Sequence, residues 1–178
     1  MAESTTASPL ADVKAGTWTL DAARSTVAFQ SKSIWGLVTV KGVFTQVSGQ
    51  AEAAGDGTAQ GTLTIAATSL DTKHAKRDKH LRSADFFDVD NHPDIVFKTT
   101  DIRVSTGDTA DVHGELTVHG VTQPVTFTAK AVEAGPDGVT LTADLDIQRA
   151  DYQITFNQLG MMGGVAKISI TVRFTPAS

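Results

Sequence analysis

Polar and apolar residues alternate with a period of two along most of this chain. Because successive side chains of a β-strand point to opposite faces, this alternation predicts strands with one buried face. The predicted strands are 17–20, 26–33, 37–53, 61–70, 95–104, 110–119, 123–133, 139–147 and 165–176. Tight turns rich in glycine, aspartate, serine and proline link most of them, so consecutive strands are expected to pair antiparallel. About eight substantial strands and a short first one predict an all-β barrel or sandwich.

The predicted strand 37–53 contains Gly42 and Gly49. Glycines inside a strand often mark bulges or sharp bends. Such bends suit a strand that curves around a barrel.

One segment, Ser69–Pro93, breaks the alternation and is charged and compatible with helix. Asp71 or Thr72 is predicted to cap a first short helix, and Ser83 a second, because their side-chain oxygens can accept from free helix amides. Phe86 and Phe87 follow and are expected either to close the mouth of a barrel or to pack in its core. Five polar residues are predicted to form a salt-bridged, helix-capping motif that fixes this excursion against the strands: Arg77, Asp78, His80, Ser83 and Asp85.

Composition narrows the class of protein. The chain has 178 residues, of which 40% are hydrophobic, as expected for one soluble domain. A net charge of −5 gives no electrostatic basis for nucleic-acid binding. No apolar run is long enough to span a membrane as a helix. The chain has no cysteine, which excludes disulfides, thiolate metal sites and cysteine nucleophiles.

The first residues do not have the basic and apolar regions of a secretory signal. Residues 1–15 are therefore predicted to be a disordered leader, and residues 16–176 the folded domain. Without a signal, a cytoplasmic location is expected.

Several motifs occur in order along the chain. The longest are RDKHLRSADFFD at 77–88, HPDIVF at 92–97 and GELTVHGVTQPV at 114–125, with shorter ones such as WTLD at 18–21 and KGVF at 41–44. Together they resemble the YceI-like family over almost the whole chain. The resemblance implies a lipocalin-like, eight-stranded antiparallel barrel whose elongated apolar cavity holds a polyisoprenoid or a similar amphiphilic lipid. Dimers are known in that family, so a homodimer is also an expectation.

The predicted function is non-catalytic binding, storage or transport of a long-chain isoprenoid, without a cofactor. Each buried methylene contributes about 0.8 kcal/mol, which favours long apolar ligands. Small inward residues such as Ala129 and Ala143 can either taper a filled core or leave a tunnel. The candidate cavity-lining residues are Phe29, Trp35, Phe44, Ile65, Leu81, Phe86, Phe97, Leu116, Phe127, Leu141, Leu145, Phe156, Met161, Met162, Ile168 and Ile170.

Two alternative functions stay open at this point. One is an enzyme that acts on a lipid-like substrate with Asp78, His80 or Asp85 as acid–base groups, although no nucleophile motif or phosphate-binding loop occurs. The other is a structural or stress-response barrel with a filled core. No metal site is expected, because neither His74 with Asp78 nor the strand group at 113–119 has a recognised zinc spacing.

Overall fold

The computed structural model describes residues 13–105, 108–154 and 163–177, which form eleven β-strands and one α-helix. The predicted all-β class is confirmed, with one short helix where one or two were expected. Of the predicted leader at 1–15, residues 1–12 lie outside the described part, so its disorder stays a prediction. The elements are β1 (Gly16–Leu20), β2 (Thr26–Ser33), β3 (Val38–Phe44), β4 (Val47–Ala53), β5 (Thr58–Ala66), β6 (Leu70–Asp71), α1 (Ala75–Arg82), β7 (Asp94–Val104), β8 (Thr109–Val118), β9 (Val121–Gly135), β10 (Gly138–Gln148) and β11 (Val165–Pro176).

The eleven strands close into an antiparallel barrel with eight strand positions. β1 and β2 act as one strand, since both pair with β11 and a short 3-10 helix at Ala22–Arg24 separates them. β3 with β4, and β5 with β6, likewise form two interrupted strands. β7 to β11 follow in sequence order, and β11 closes the barrel by pairing with β10 and β1. The barrel expected from the resemblance is therefore confirmed.

The predicted strand 37–53 is interrupted at Thr45 and Gln46. The Thr45 N–H donates to the Ser69 carbonyl at 3.1 Å, and the Gln46 carbonyl accepts from the Ala66 N–H at 3.0 Å. The neighbouring strands break at the same level, between β1 and β2 and between β5 and β6. The inward face changes phase here, because the buried residues Phe44 and Val47 are three positions apart with exposed Thr45 and Gln46 between them. The prediction of one long strand missed this change.

Gly42 lies in β3 where two side chains approach its Cα closely. A Cβ at this position would lie 2.5 Å from Cζ of Phe29 and 2.8 Å from Cγ2 of Thr72. The β2–β3 pairing shows no register shift at Gly42, so this glycine makes room for neighbours rather than marking a bulge.

We expect Gly42→Ala to lower the free energy of unfolding by about 1–3 kcal/mol, because the added methyl overpacks this contact. Urea denaturation followed by circular dichroism measures the change. Gly135→Ala in β9 is the matched control, since a Cβ there meets no heavy atom within 4 Å. Equal stability of the two variants would contradict the close approach at Gly42.

One end of the barrel, which we call the filled end, is packed with apolar side chains. The excursion between β6 and β7 lies at this end, and its apolar residues join inward barrel residues in one buried cluster. Leu70 is 1% exposed and Phe86 5% exposed. Phe87 packs edge-on against Phe44, with ring centroids 5.9 Å apart. The two phenylalanines of the excursion are therefore core residues of the filled end.

The helix α1 begins after His74, whose Nδ1 accepts from the Arg77 N–H at 3.1 Å. The predicted caps do not serve this role. Asp71 accepts instead from the Lys73 N–H at 2.8 Å, and this hydrogen bond lowers the pKa of the Asp71 carboxyl. Thr72 bonds to a residue within the helix, as described next.

Three residues of the excursion form a hydrogen-bonded group that we call the Thr72 clasp: Thr72, Arg77 and Asp78. Asp78 is 7% exposed and accepts from the Thr72 N–H at 3.0 Å and from the Thr72 hydroxyl. Arg77 donates from Nε to that hydroxyl at 2.8 Å and from Nη2 to the Thr72 carbonyl at 2.9 Å. The clasp ties the start of the excursion to α1.

The other residues of the predicted motif lie at the exposed end of α1. His80 Nε2 and Asp85 Oδ2 are 2.9 Å apart, and the Ser83 hydroxyl donates to the His80 carbonyl at 2.5 Å. The residues after Ser83 form turns rather than the second predicted helix, with the Phe86 N–H donating to the Ser83 carbonyl at 3.0 Å.

Candidate functional site

An apolar cavity of about 180 Å³ occupies the opposite end of the barrel, which we call the cavity end. Glycine and alanine recur in its wall, on β4, β5, β8, β9 and β10, and such small inward side chains leave space that larger ones would fill. The described lining residues are Val13, Trp18, Ala51, Ala53, Gly55, Gly57, Thr58, Ala59, Gly61, Thr62, Leu63, Phe97, Thr99, Ile102, Val104, Ala110, Val112, Phe127, Ala129, Val139, Leu141, Thr142, Ala143, Ile170, Val172 and Phe174.

Two irregularities in strand pairing lie in the cavity wall. The β5–β7 register shifts between Ala59 and Thr62, and the β7–β8 register shifts between Thr99 and Asp101. The Thr99 hydroxyl accepts from the Gly61 N–H at 2.6 Å and donates to the Gly61 carbonyl at 3.1 Å. This polar lining group therefore satisfies the backbone at an irregular point of the wall.

The N-terminal approach to β1 covers part of the cavity end. Val13 and Trp18 both line the cavity, and the Trp18 indole N–H donates to the Lys14 carbonyl at 3.1 Å. A Cβ at Gly55, in the β4–β5 turn, would lie 3.1 Å from Cβ of Ala15. These contacts hold residues 13–15 against the rim of the barrel.

The predicted lining residues are distributed over both ends. Trp35 is 66% exposed in the β2–β3 turn, which does not fit its predicted role, and Leu145 is half-buried outside the cavity lining. Four of the predicted residues line the cavity: Phe97, Phe127, Leu141 and Ile170. Three of these four, Phe97, Leu141 and Ile170, also pack against the cluster of the filled end. Seven further predicted residues belong to that cluster or pack against it without lining the cavity: Phe29, Phe44, Ile65, Leu81, Phe86, Leu116 and Ile168. Three lie outside the described residues, and their contacts stay predictions: Phe156, Met161 and Met162.

The sequence analysis missed much of the wall that shapes the cavity. Ala51 and Ala53 in β4, and Ala59 and Gly61 in β5, line it at alternate positions. Their spacing of two residues could have shown that they face the inside of the barrel. Small residues were nevertheless given little weight, because they contribute little apolar surface of their own.

The described lining residues contain no side chain that titrates; their polar side-chain groups are threonine hydroxyls and the Trp18 indole N–H. The candidate acid–base groups Asp78, His80 and Asp85 lie instead in the excursion at the filled end. Burial raises the pKa of the Tyr152 phenol, but this residue belongs to the cluster of the filled end. The cavity wall thus offers apolar contact rather than proton transfer.

Three residues near the filled end could hold a metal ion. Asp88, His92 and His119 can each bring one ligand atom within 4.8 Å of the others. His113 and Glu115, which the sequence placed on one strand face with His119, are exposed on β8 as expected. His119 instead lies in the β8–β9 turn beside the excursion.

None of the helices in the described ranges is long and apolar enough to cross a membrane.

Comparison with known sequences identifies the family. The family model described as the YceI-like domain matches residues 18–174, nearly the whole barrel. A UPF0312 protein of Pseudomonas aeruginosa is 49% identical over 75 residues, which make up 42% of this chain and 39% of that protein. The aligned segment thus spans about two fifths of this curated relative.

Solved structures share the fold. The crystal structure of Burkholderia cenocepacia BcnA matches with a TM-score of 0.78 at 22% identity, covering 86% of this chain and 98% of that one. A polyisoprenoid binding domain from Saccharophagus degradans, implicated in plant cell wall breakdown, matches with a TM-score of 0.74 at 19% identity, covering 92% and 100%. With the barrel closed as described and the family match running from β1 to β11, this chain belongs to the YceI-like family.

Proposed function

We propose that this protein binds the hydrocarbon part of a long-chain isoprenoid, or a similar amphiphilic lipid, in the cavity without altering it chemically. The observation that carries the proposal is the wall itself, which is apolar and has no titratable side chain among its described residues. A similar fold in a polyisoprenoid binding domain supports the ligand class. Storage or transport of the lipid follows from binding without turnover.

The size of the cavity limits how much lipid the resting barrel encloses. A protein cavity of about 150 Å³ is known to bind benzene. At about 180 Å³, this cavity therefore accommodates a short prenyl segment of one or two isoprene units. The rest of a longer chain must pass the rim near Val13 and Gly55, or enter as the wall adjusts around Phe97 and Phe127.

Affinity should rise steeply with the first isoprene units and level off when the cavity is full. Each unit can contribute about 3 kcal/mol gross from burial, from which the cost of ordering the ligand is subtracted. Competition of a prenyl alcohol series against a fluorescent lipid measures the trend. An affinity that does not change with chain length would contradict binding in an apolar cavity.

The two tryptophans make the location of binding testable. Trp18 is 4% exposed and lines the cavity, whereas Trp35 is 66% exposed in the β2–β3 turn. In a Trp35→Phe protein, Trp18 is the one remaining tryptophan, and its emission should change on lipid binding. Lipid binding that leaves Trp18 emission unaltered would place the ligand elsewhere.

Mass spectrometry of organic extracts of the purified protein identifies any copurified lipid.

A further inference from the structure

We propose that Asp88, His92 and His119 form a binding site for one divalent transition-metal ion of the Zn²⁺ type at the filled end of the barrel. The proposal is independent of lipid binding, because the cavity lies at the other end. It rests on the position of the three side chains and on the contacts that orient them.

The three side chains converge from two separate parts of the chain. Asp88 and His92 follow α1 in the excursion, and His119 lies in the β8–β9 turn. One ligand atom from each lies within 4.8 Å of the other two, and all three residues are half-buried. The two imidazole rings are edge-on, with centroids 5.2 Å apart. Small movements of the side chains would place each ligand atom about 2 Å from one shared zinc ion.

His119 is oriented in the way that metal-binding histidines commonly are. Its Nδ1 lies 3.2 Å from the Tyr152 carbonyl oxygen. Because a carbonyl can only accept, Nδ1 must carry the proton, and the neutral ring then has its lone pair on Nε2. A backbone carbonyl that fixes the tautomer of a ligand histidine is a typical outer-shell partner.

Asp88 and His92 are also held in place. The Asn91 side-chain amide lies 3.2 Å from Oδ1 and 3.0 Å from Oδ2 of Asp88, and the His92 N–H donates to the Asp88 carbonyl at 2.8 Å. The His92 ring lies so close to Gly120 that a Cβ there would be 2.6 Å from Cε1. Asp88 and His119 have φ angles of 48° and 55°, a conformation that non-glycine residues seldom adopt.

The ligand set selects the class of metal. Two imidazoles and one carboxylate suit Zn²⁺ and neighbouring transition ions, whereas Mg²⁺ and Ca²⁺ prefer oxygen ligands alone. Three protein ligands leave a coordination position for water. A bound ion would join the excursion to the β8–β9 turn, so it would stabilise the folded chain.

Isothermal titration calorimetry of the untagged, chelator-treated chain with ZnCl₂ tests the site. We expect one Zn²⁺ per chain, no displacement by excess MgCl₂, and a rise in melting temperature with Zn²⁺. Asp88→Asn, His92→Gln and His119→Asn should each weaken binding by at least about tenfold, and Asn91→Ala by roughly tenfold through loss of orientation. Asparagine tolerates the left-handed conformation at positions 88 and 119, so these variants should fold.

His113→Gln is the matched control, because this exposed histidine of β8 lies outside the cluster. It should keep the affinity of the unaltered chain. The proposal is overturned if the unaltered chain shows no saturable Zn²⁺ binding, if variants of the three ligands that are folded by circular dichroism retain full affinity, or if His113→Gln loses as much affinity as they do. The intensity of Co²⁺ absorption bands gives an independent readout of the same three ligands.

Discussion

Filling the cavity from its own wall is expected to reduce lipid affinity by more than about tenfold while leaving the barrel folded. Ala129 in β9 and Ala143 in β10 both line the cavity and belong to one buried cluster with Val112. Leucine at both positions would occupy the space that a prenyl segment needs, and losing two buried methylenes of ligand contact already corresponds to about 1.6 kcal/mol. Cavity-filling substitutions commonly raise stability by about 0.5–2 kcal/mol. We therefore expect weaker binding together with higher stability in Ala129→Leu/Ala143→Leu.

The opposite signs of these two effects make the experiment specific. Lipid competition measures the affinity, and urea denaturation measures the free energy of unfolding. Thr128→Leu is the control, since Thr128 is exposed on the outer face of β9, next to Ala129. It introduces the same side chain on the other side of the wall and should leave affinity unchanged. Normal lipid binding by the stable double variant would show that the lipid binds outside the cavity.

The strands could be predicted because each has one buried face, whereas the choice of a closed barrel over a sandwich came from the family resemblance. Val27 in β2 and Ile65 in β5 are inward and buried, as the period of two required. The interruption at Thr45 and Gln46 was missed, because the strand 37–53 was treated as continuous although its inward face changes phase between Phe44 and Val47. Which strand lies beside which at that level, by contrast, is a property of the assembled sheet.

The position of the cavity was harder to predict than its chemistry. Alternation distinguishes inward from outward residues, but it does not give their height along the barrel. Phe29 and Leu116 are inward residues of the filled end, whereas Phe127 lies at the cavity and Ile170 contacts both, and the sequence grouped all four together. What separates the two groups is the excursion, which packs into one end of the barrel and leaves the space beside the small residues of the other end unfilled.

The cluster of Asp88, His92 and His119 could not be predicted from sequence spacing either. His119 follows a strand on which His113 and Glu115 recur at alternate positions, so sequence spacing grouped these three. The β8–β9 turn directs His119 elsewhere, with φ of 55°, toward a segment that precedes it in the chain by more than one strand. Only the fold of the excursion brings His92 to it.

Asp78→Ala is expected to lower the free energy of unfolding by about 2–4 kcal/mol. Asp78 is buried, and its carboxylate accepts from both the N–H and the hydroxyl of Thr72. Without it, two buried donors lose their acceptor, and the Thr72 hydroxyl that accepts from Arg77 Nε loses the carboxylate that orients it. Chemical denaturation measures the loss.

Asp85→Ala provides the comparison that separates burial from charge. Its carboxylate is paired with His80 in the same excursion, but the two side chains are 51% and 45% exposed. An exposed pair of this kind contributes about 0–1 kcal/mol, so this variant should be nearly as stable as the unaltered chain. If the two alanine variants were destabilised equally, the contribution of Asp78 would be that of one more surface charge. A much larger loss in Asp78→Ala than in Asp85→Ala would instead show that the clasp stabilises the filled end. There the buried carboxylate and two backbone groups of Thr72 hold the excursion in the position from which Phe86 and Phe87 pack into the core.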